Sequence, residues 1–230
     1  MKLSKETIEV LKNYGNINPG MMFRSGKIIR TVNAQKNILS SAEISEEIPL
    51  NFAVYDINNL LGVISVDDSP EFEFSTEELK IKGKGGRSSL RYGLCDADVI
   101  VAAPDKDVVI PSEDIKFNLS KDDLLYVLKI NRLLSLPNIV VESDGSEVLI
   151  KSIDVKESQS NNMVNYDKLR VGEGDGSVYN MILKSELVEK LMPMDYEVII
   201  SSKGITQFKN QEKKLTYWIT TEPGSTYQSA

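Results

Sequence analysis

The sequence predicts an α+β fold of two similar domains per chain, each with two short helices packed on antiparallel sheets. Three observations lead there. "LSKETIEVLK" at residues 3–12 returns as "LSKDDLLYVLK" at residues 119–129 of a 230-residue chain. A strand-then-helix segment also recurs, as "FAVYDINNLLGVISV" (52–66) and "VYNMILKSELVEKLM" (178–192). Helical and strand patterns are segregated rather than alternating as βαβ units, and that separates α+β from α/β.

Each element has a local reason. Ser4 is a good N-cap, and Glu6 falls in the first turn, where a negative charge suits the helix dipole. Ile8, Leu11 and Tyr14 form an apolar stripe at helical spacing, while Lys5 and Lys12 share the polar face with Glu9. Gly15 and the "NPG" at 18–20 are expected to end this helix. "MMFRSGKIIRT" then reads as strand, Ser25-Gly26 turn, strand. The second copy repeats the order. Ser120 is the cap, with Asp122 and Asp123 in the first turn. Leu124, Val127, Leu128 and Leu134 make the apolar face. Lys121, Lys129 and Arg132 gather on another face around Leu125, and Pro137 stops the helix. "NIVVESDGSEVLIKS" and "YEVIISSKGITQFK" are strand pairs with tight turns, the second at Lys203-Gly204, and Pro193 closes the short helix before it. The join lies in "VAAPDKDVVIPSEDIKF", punctuated by Pro104 and Pro111, which divides the chain into domains 1–108 and 109–230. The tail "PGSTYQSA" is expected to fray.

Composition bounds the function. The chain is 41% hydrophobic and 27% charged, the balance of a globular protein. No apolar run reaches the roughly 20 residues that span a bilayer, and "MKLSKETIEV" has no signal-peptide core, so the expectation is a cytoplasmic protein with no membrane association. The single cysteine, Cys95, excludes an internal disulfide framework and reads as a small buried or half-buried residue. There is no histidine, which removes Ser-His and Cys-His nucleophiles, a histidine base and the commonest zinc ligand. Net charge is −7, so any contact with nucleic acid requires basic residues gathered on one face.

Three stretches invite sharper readings. "VGEGDGS" (171–177) alternates glycines, but Glu173 and Asp175 repel phosphate and no P-loop lysine follows, so it reads as a turn. "KGKGGRSSLR" (82–91) lacks the Walker pattern and reads as a solvated strand-loop-strand. "DDSPEFEFSTEE" alternates around Phe72 and Phe74 and reads as an exposed strand edge with a loop; no metal or cofactor is expected. Two related helices with basic residues at comparable places point instead to a quasi-symmetric basic surface, which suits a quasi-symmetric ligand such as duplex DNA.

The stretches "MKLSKETIEVLKNYGNINPG", "FAVYDINNLLGVISV", "LSKDDLLYVLKINRLL" and "MILKSELVEKLMPMDYEVIISSKG" together resemble the DNA polymerase sliding clamp of T-even-type bacteriophages. The match runs in order along most of the chain and is weak between about 67 and 108 and after 205. The resemblance implies a ring-forming clamp fold: a homotrimer around duplex DNA, acting as a processivity factor without chemistry of its own. It implies that Lys5, Lys12, Lys121, Lys129 and Arg132 face DNA. It also implies a replicative DNA polymerase and an ATP-dependent clamp loader as partners, in the cytoplasm of the infected bacterial host. Partner peptides would enter a pocket with Ile110 and Pro111 on the connector, and with Leu39 and Trp218 beside them. The residues alone leave two alternatives, a non-enzymatic phage structural or peptide-binding protein with a duplicated α+β fold, and a small carboxylate enzyme. Oligomeric mass separates the clamp from the first of these.

Overall fold

The computed structural model describes residues 1–68, 70–75, 77–106, 108–160 and 164–230. Ser69 and Thr76 of the acidic stretch and Asp107 of the join lie outside the described residues. The chain groups into two compact units, Met1–Asp107 with Lys213–Leu215, and Val108–Glu212 with Thr216–Ala230.

The first unit opens with helix α1 (Lys5–Ile17). Strands β1 (Met21–Phe23), β2 (Gly26–Val32), β3 (Ile38–Ile48) and β4 (Phe52–Val54) follow, then helix α2 (Ile57–Ile64). β5 (Glu71–Phe74), β6 (Glu78–Gly83) and β7 (Ser88–Gly93) form an antiparallel sheet in the order β5-β6-β7. Ser4 caps α1 as its side chain accepts from the Thr7 N–H. Asp56 caps α2 in the same way, accepting from Asn58 and Asn59. The core joins Leu11, Tyr14 and Ile17 of α1 with Ile57, Leu60 and Ile64 of α2, all buried. Burial of one such side chain stabilises by roughly 1.5–3 kcal/mol. Phe23 stacks on Phe52 at 4.6 Å across the β1–β4 pair.

Two expectations change here. Gly15 does not end α1; the helix runs through it to Ile17 and is capped at Asn18. The glycine serves as a close approach, since a Cβ there would lie 2.2 Å from the Asn58 side-chain oxygen and 3.1 Å from Ile57 Cγ2. β1 and β2 follow one another around Arg24-Ser25 but are not a hairpin pair. β1 pairs with β4, Met21 opposite Val54, and β2 pairs with β3.

The second unit begins with β8 (Ile115–Leu119), helix α3 (Lys121–Leu134), β9 (Asn138–Asp144) and β10 (Glu147–Ile153). Helix α4 (Val155–Ser160), β11 (Tyr166–Glu173), β12 (Val178–Lys184) and helix α5 (Ser185–Val188) come next. β13 (Tyr196–Ser201), β14 (Ile205–Asn210), β15 (Leu215–Thr220) and β16 (Thr226–Gln228) complete it. One sheet runs β11-β10-β9-β12-β16, and β15, β14, β13 and β8 are neighbours in another. Leu124 and Val127 of α3, Ile139, Ile150, Leu183 and Phe208 surround a small enclosed apolar space between helix and strands. Tyr196 packs edge-on against Phe208 and Tyr217, as aromatic quadrupoles favour.

Four details differ from the sequence reading. Leu134 is 42% exposed and leaves the apolar face, where Asn131 is buried instead. Ser135 in the left-handed conformation ends α3 before Pro137 is reached. A third short helix, α4, joins the expected two. Its start is fixed by the Asp154 carboxylate, which accepts from the Lys156 and Glu157 N–H groups at 3.0 Å. The tail is not frayed throughout, because β16 pairs with β12 and Tyr227 stacks near Tyr179 at 6.4 Å.

Candidate nucleic-acid interface

The site is built on the two helices that open with Leu-Ser-Lys. In α1, Thr7, Leu11 and Tyr14 are buried; in α3, Leu124, Leu128 and Asn131 are buried. These stripes have the same spacing, but the second starts one residue later from its cap. A helix turns about 100° per residue, so a side chain five positions beyond the first buried residue points away from the unit. Lys12 stands five after Thr7 and Lys129 five after Leu124, and both are exposed. Lys5 is exposed on the same outward side of α1. Lys121 and Arg132 are exposed too, on the flank of α3 rather than its outward crest. All five positions are exposed, and the structure divides them into three outward lysines and two flanking cations.

Arg132 differs again. Its guanidinium donates to the Glu189 carboxylate at 3.0 Å, immediately beyond α5. Among the described residues, Lys5, Lys12, Lys121 and Lys129 have no carboxylate partner for their ammonium groups. The charges of α1 cancel, since Glu6 and Glu9 match Lys5 and Lys12. The crest of α3 also carries apolar surface, with Leu133 70% exposed and Leu125 44%. α2 has no basic residue. Such a surface attracts a phosphate backbone weakly and carries no group arranged to read bases.

Sequence reasoning missed two carboxylates. Glu46 on β3 accepts from the Ser4 N–H and, at 2.6 Å, from the Thr7 hydroxyl. It does from another strand what a glutamate three residues after the cap does in a capping box. Burial opposes its ionisation, but the bonds from Thr7 and Ser4 outweigh that and hold its carboxyl below the usual range. In the second unit Asp195 accepts from the Lys121 N–H at 2.7 Å. No local pattern around Glu46 or Asp195 signals either role, because both partners are distant in sequence.

The connector and pocket residues stand as follows. Leu39 lies on β3 and is half-buried; Ile110 is half-buried and Pro111 exposed. Trp218 on β15 is 8% exposed, and its indole Nε1 has no hydrogen-bond partner among the described residues.

The other stretches resolve as structural. "VGEGDGS" is the end of β11 and a turn in which a Cβ on Gly174 would lie 2.3 Å from the Gly145 carbonyl oxygen. The Asp175 carboxylate accepts from the Ser177 N–H there, which lowers its pKa. "KGKGGRSSLR" joins β6 to β7 through a tight turn at Lys84–Gly86. In the acidic stretch, β5 is an edge strand with Phe72 buried and Glu71 and Glu73 exposed. Cys95 is half-buried, and burial pushes its thiol pKa up, away from nucleophilic use. No cluster of acidic, cysteine or histidine side chains able to hold a metal occurs among the described residues.

The fold is that of the sliding clamps. The crystal structure of proliferating cellular nuclear antigen from Entamoeba histolytica superposes with a TM-score of 0.69 at 13% identity, covering 96% of this chain and 97% of that one. Sequence goes further. Residues 4–102 match the family model for DNA polymerase processivity factors, and residues 116–223 match that for the C-terminal part of the gp45 sliding clamp. The sliding clamp of Vibrio phage KVP40 is 32% identical over 96% of this chain and 99% of its own length. That of Enterobacteria phage T4 is 31% identical over 89% of each. The chain belongs to the sliding-clamp family of T4-like bacteriophages, and its function is that of a DNA polymerase processivity clamp.

Proposed function

We propose that this chain forms a homotrimeric ring around duplex DNA, with clamp domains 1–108 and 109–230, and that it tethers the replicative polymerase without catalysing any step itself. The observation that carries this reading is the pair of outward lysines, Lys12 and Lys129, at matching places on two helices of one chain. Lys5, Lys121 and Arg132 complete the DNA-facing set. Weak phosphate attraction lets such a ring move, and topology retains it. Tethering raises the effective concentration of polymerase at the primer end.

Subunits join through strand edges. Within their sheets β7 and β11 are terminal strands, with unpaired edges among the described residues, and an unpaired edge is a template for a neighbouring chain. An ATP-dependent loader opens and closes the ring, in the cytoplasm of the infected host. Partner peptides seat against Ile110, Pro111 and Trp218, with Leu39 as the fourth residue of the pocket.

Two measurements test the ring. Light scattering at micromolar concentration should give about three times 25.7 kDa. Protein loaded on nicked circular DNA should stay bound through gel filtration and be lost once the circle is cut. A strict monomer, or equal loss from both DNA forms, would overturn the proposal. For the pocket, Ile110→Asp should weaken a polymerase-tail peptide by about tenfold, of the size of an interface hot spot, with the trimer kept.

A further inference from the structure

Helix N-termini are natural resting places for phosphate, because free N–H groups and the positive end of the dipole converge there. In this chain the N-terminus of each Leu-Ser-Lys helix already holds a carboxylate brought from elsewhere. Glu46, 42 residues away along the chain, takes the Ser4 N–H and the Thr7 hydroxyl. Asp195, 74 residues away, takes the Lys121 N–H. The helices do not need these groups as caps, since Ser4 already accepts from Thr7 N–H and Ser120 from Asp123 N–H. What the distant residues add is a fixed negative charge at the dipole end. The surroundings of α3 extend it: the open groove at its start is lined by Asp123, Asp195, Glu197 and Glu212 together with Lys209, and of these Glu197 is paired with Lys116 at 2.7 Å.

We propose that Glu46 and Asp195 mask the N-termini of α1 and α3 against DNA phosphates, acting as positioning residues that keep the ring mobile. The inference rests on the reading that α1 and α3 face DNA. An unmasked N-terminus would hold a phosphate at one place, and the ring would step between such places instead of gliding. With the carboxylates in position, attraction is left to Lys5, Lys12, Lys121 and Lys129, whose long flexible stems follow a moving backbone.

The test follows single rings threaded onto long duplex DNA with blocked ends. The variant Glu46→Gln with Asp195→Asn keeps an acceptor oxygen for the same N–H groups and removes only the charge. At about 50 mM salt it should diffuse roughly two- to fivefold more slowly than wild type, the size of a dipole-end interaction. The gap should close by about 0.3 M salt, where the Debye length has fallen to roughly 6 Å. Glu46→Asp with Asp195→Glu should return to wild-type diffusion. Glu77→Gln with Glu113→Gln changes net charge equally at two exposed carboxylates remote in sequence from Glu46 and Asp195, and should leave diffusion unchanged. Equal slowing in that control, or no slowing in the Gln/Asn variant, would overturn the masking. The DNA-facing reading is checked separately by Lys12→Glu with Lys129→Glu. If those reversals left threading, retention and diffusion at wild-type values, that reading would fall and the masking with it. A response there beside an inert Gln/Asn variant would remove the masking alone.

Discussion

α1 and α3 solve one problem with different residues. Each begins at a serine cap, buries a stripe at the same spacing and turns a lysine outward at the matching position, Lys12 or Lys129. α1 is electrically balanced, borrows Glu46 from β3 and meets α2 at a side-chain-free Gly15. α3 borrows Asp195 and adds its own acid at Asp123, meets the end of α5 through the Arg132–Glu189 pair and leaves Leu125 and Leu133 in the open. Tyr14 and Asn131 hold matching stripe positions, and both turn a polar tip to a partner on a strand, β3 or β9. The Tyr14 hydroxyl accepts from Ser40, and the Asn131 amide donates to the Asn138 carbonyl. The difference teaches that the repeat conserves placement rather than charge: what the two halves share is where a cation points, not how many cations surround it.

The largest effect should come from breaking the stripe in either half. Leu11→Ala and Leu128→Ala each remove a buried side chain at the same stripe position. Each should cost about 2–5 kcal/mol in denaturant unfolding, from lost transfer energy plus a residual cavity. If one costs under a third of the other, the two helices do not carry equivalent cores. Next comes the contact that only the first half has. Gly15→Val must displace Asn58 and press on the buried Ile57, and should cost about 1–3 kcal/mol despite valine's better helix propensity. The simultaneous change Gly15→Ala with Asn58→Ala should recover most of it, which a backbone effect at residue 15 would not allow.

A smaller effect separates the caps by pH. The Glu46 carboxyl is held below its ordinary range in the folded chain. A group with a lowered folded pKa stabilises fully above its unfolded value, and that contribution disappears as pH falls through the folded value. Wild type should therefore exceed Glu46→Gln in melting temperature at neutral pH, and the two curves should converge as pH drops below the usual glutamate range. A gap that widened on acidification would mean that the carboxyl is not the stabilising partner of Ser4 and Thr7.

What the sequence made legible was local. Ser4 and Ser120 announced their helices because a cap acts within three residues, and the lysines were placed by helical period alone. What it hid was decided at a distance. Gly15 looked like a stop, and only the approach of Asn58 explains a glycine inside a helix. β1 found β4 rather than its neighbour β2, a choice made by packing across an intervening strand pair. Leu134 fits the apolar period but falls in the final turn, next to a left-handed Ser135 that redirects the chain. α4 was overlooked because "VKESQS" has one apolar residue, although Asp154 with Glu157 three residues later spells an N-terminal signal. In the site, exposure of the five cations was readable, but the tie between Arg132 and Glu189 was not, since 57 residues separate them.

That tie gives the smallest effect and the finest test of the comparison. The pair is substantially open to solvent, so Arg132→Ala should cost between about 0 and 1 kcal/mol of stability. Its consequence for DNA should be small too. Each phosphate contact releases counterions, so losing one reduces the slope of log affinity against log salt by about 0.9. Lys129, outward and without a carboxylate partner, should show that change on substitution by alanine, measured as equilibrium binding to short linear duplex with open ends across a salt series. Arg132, on the flank and already neutralised by Glu189, should leave the slope where it is. Glu189→Gln then becomes informative: freeing the guanidinium should steepen the slope in the wild-type background and do nothing in Arg132→Ala. Should Arg132→Ala flatten the slope as much as Lys129→Ala, the guanidinium leaves Glu189 for the duplex, and the second half contributes both its crest and its flank to DNA while the first half contributes only a crest.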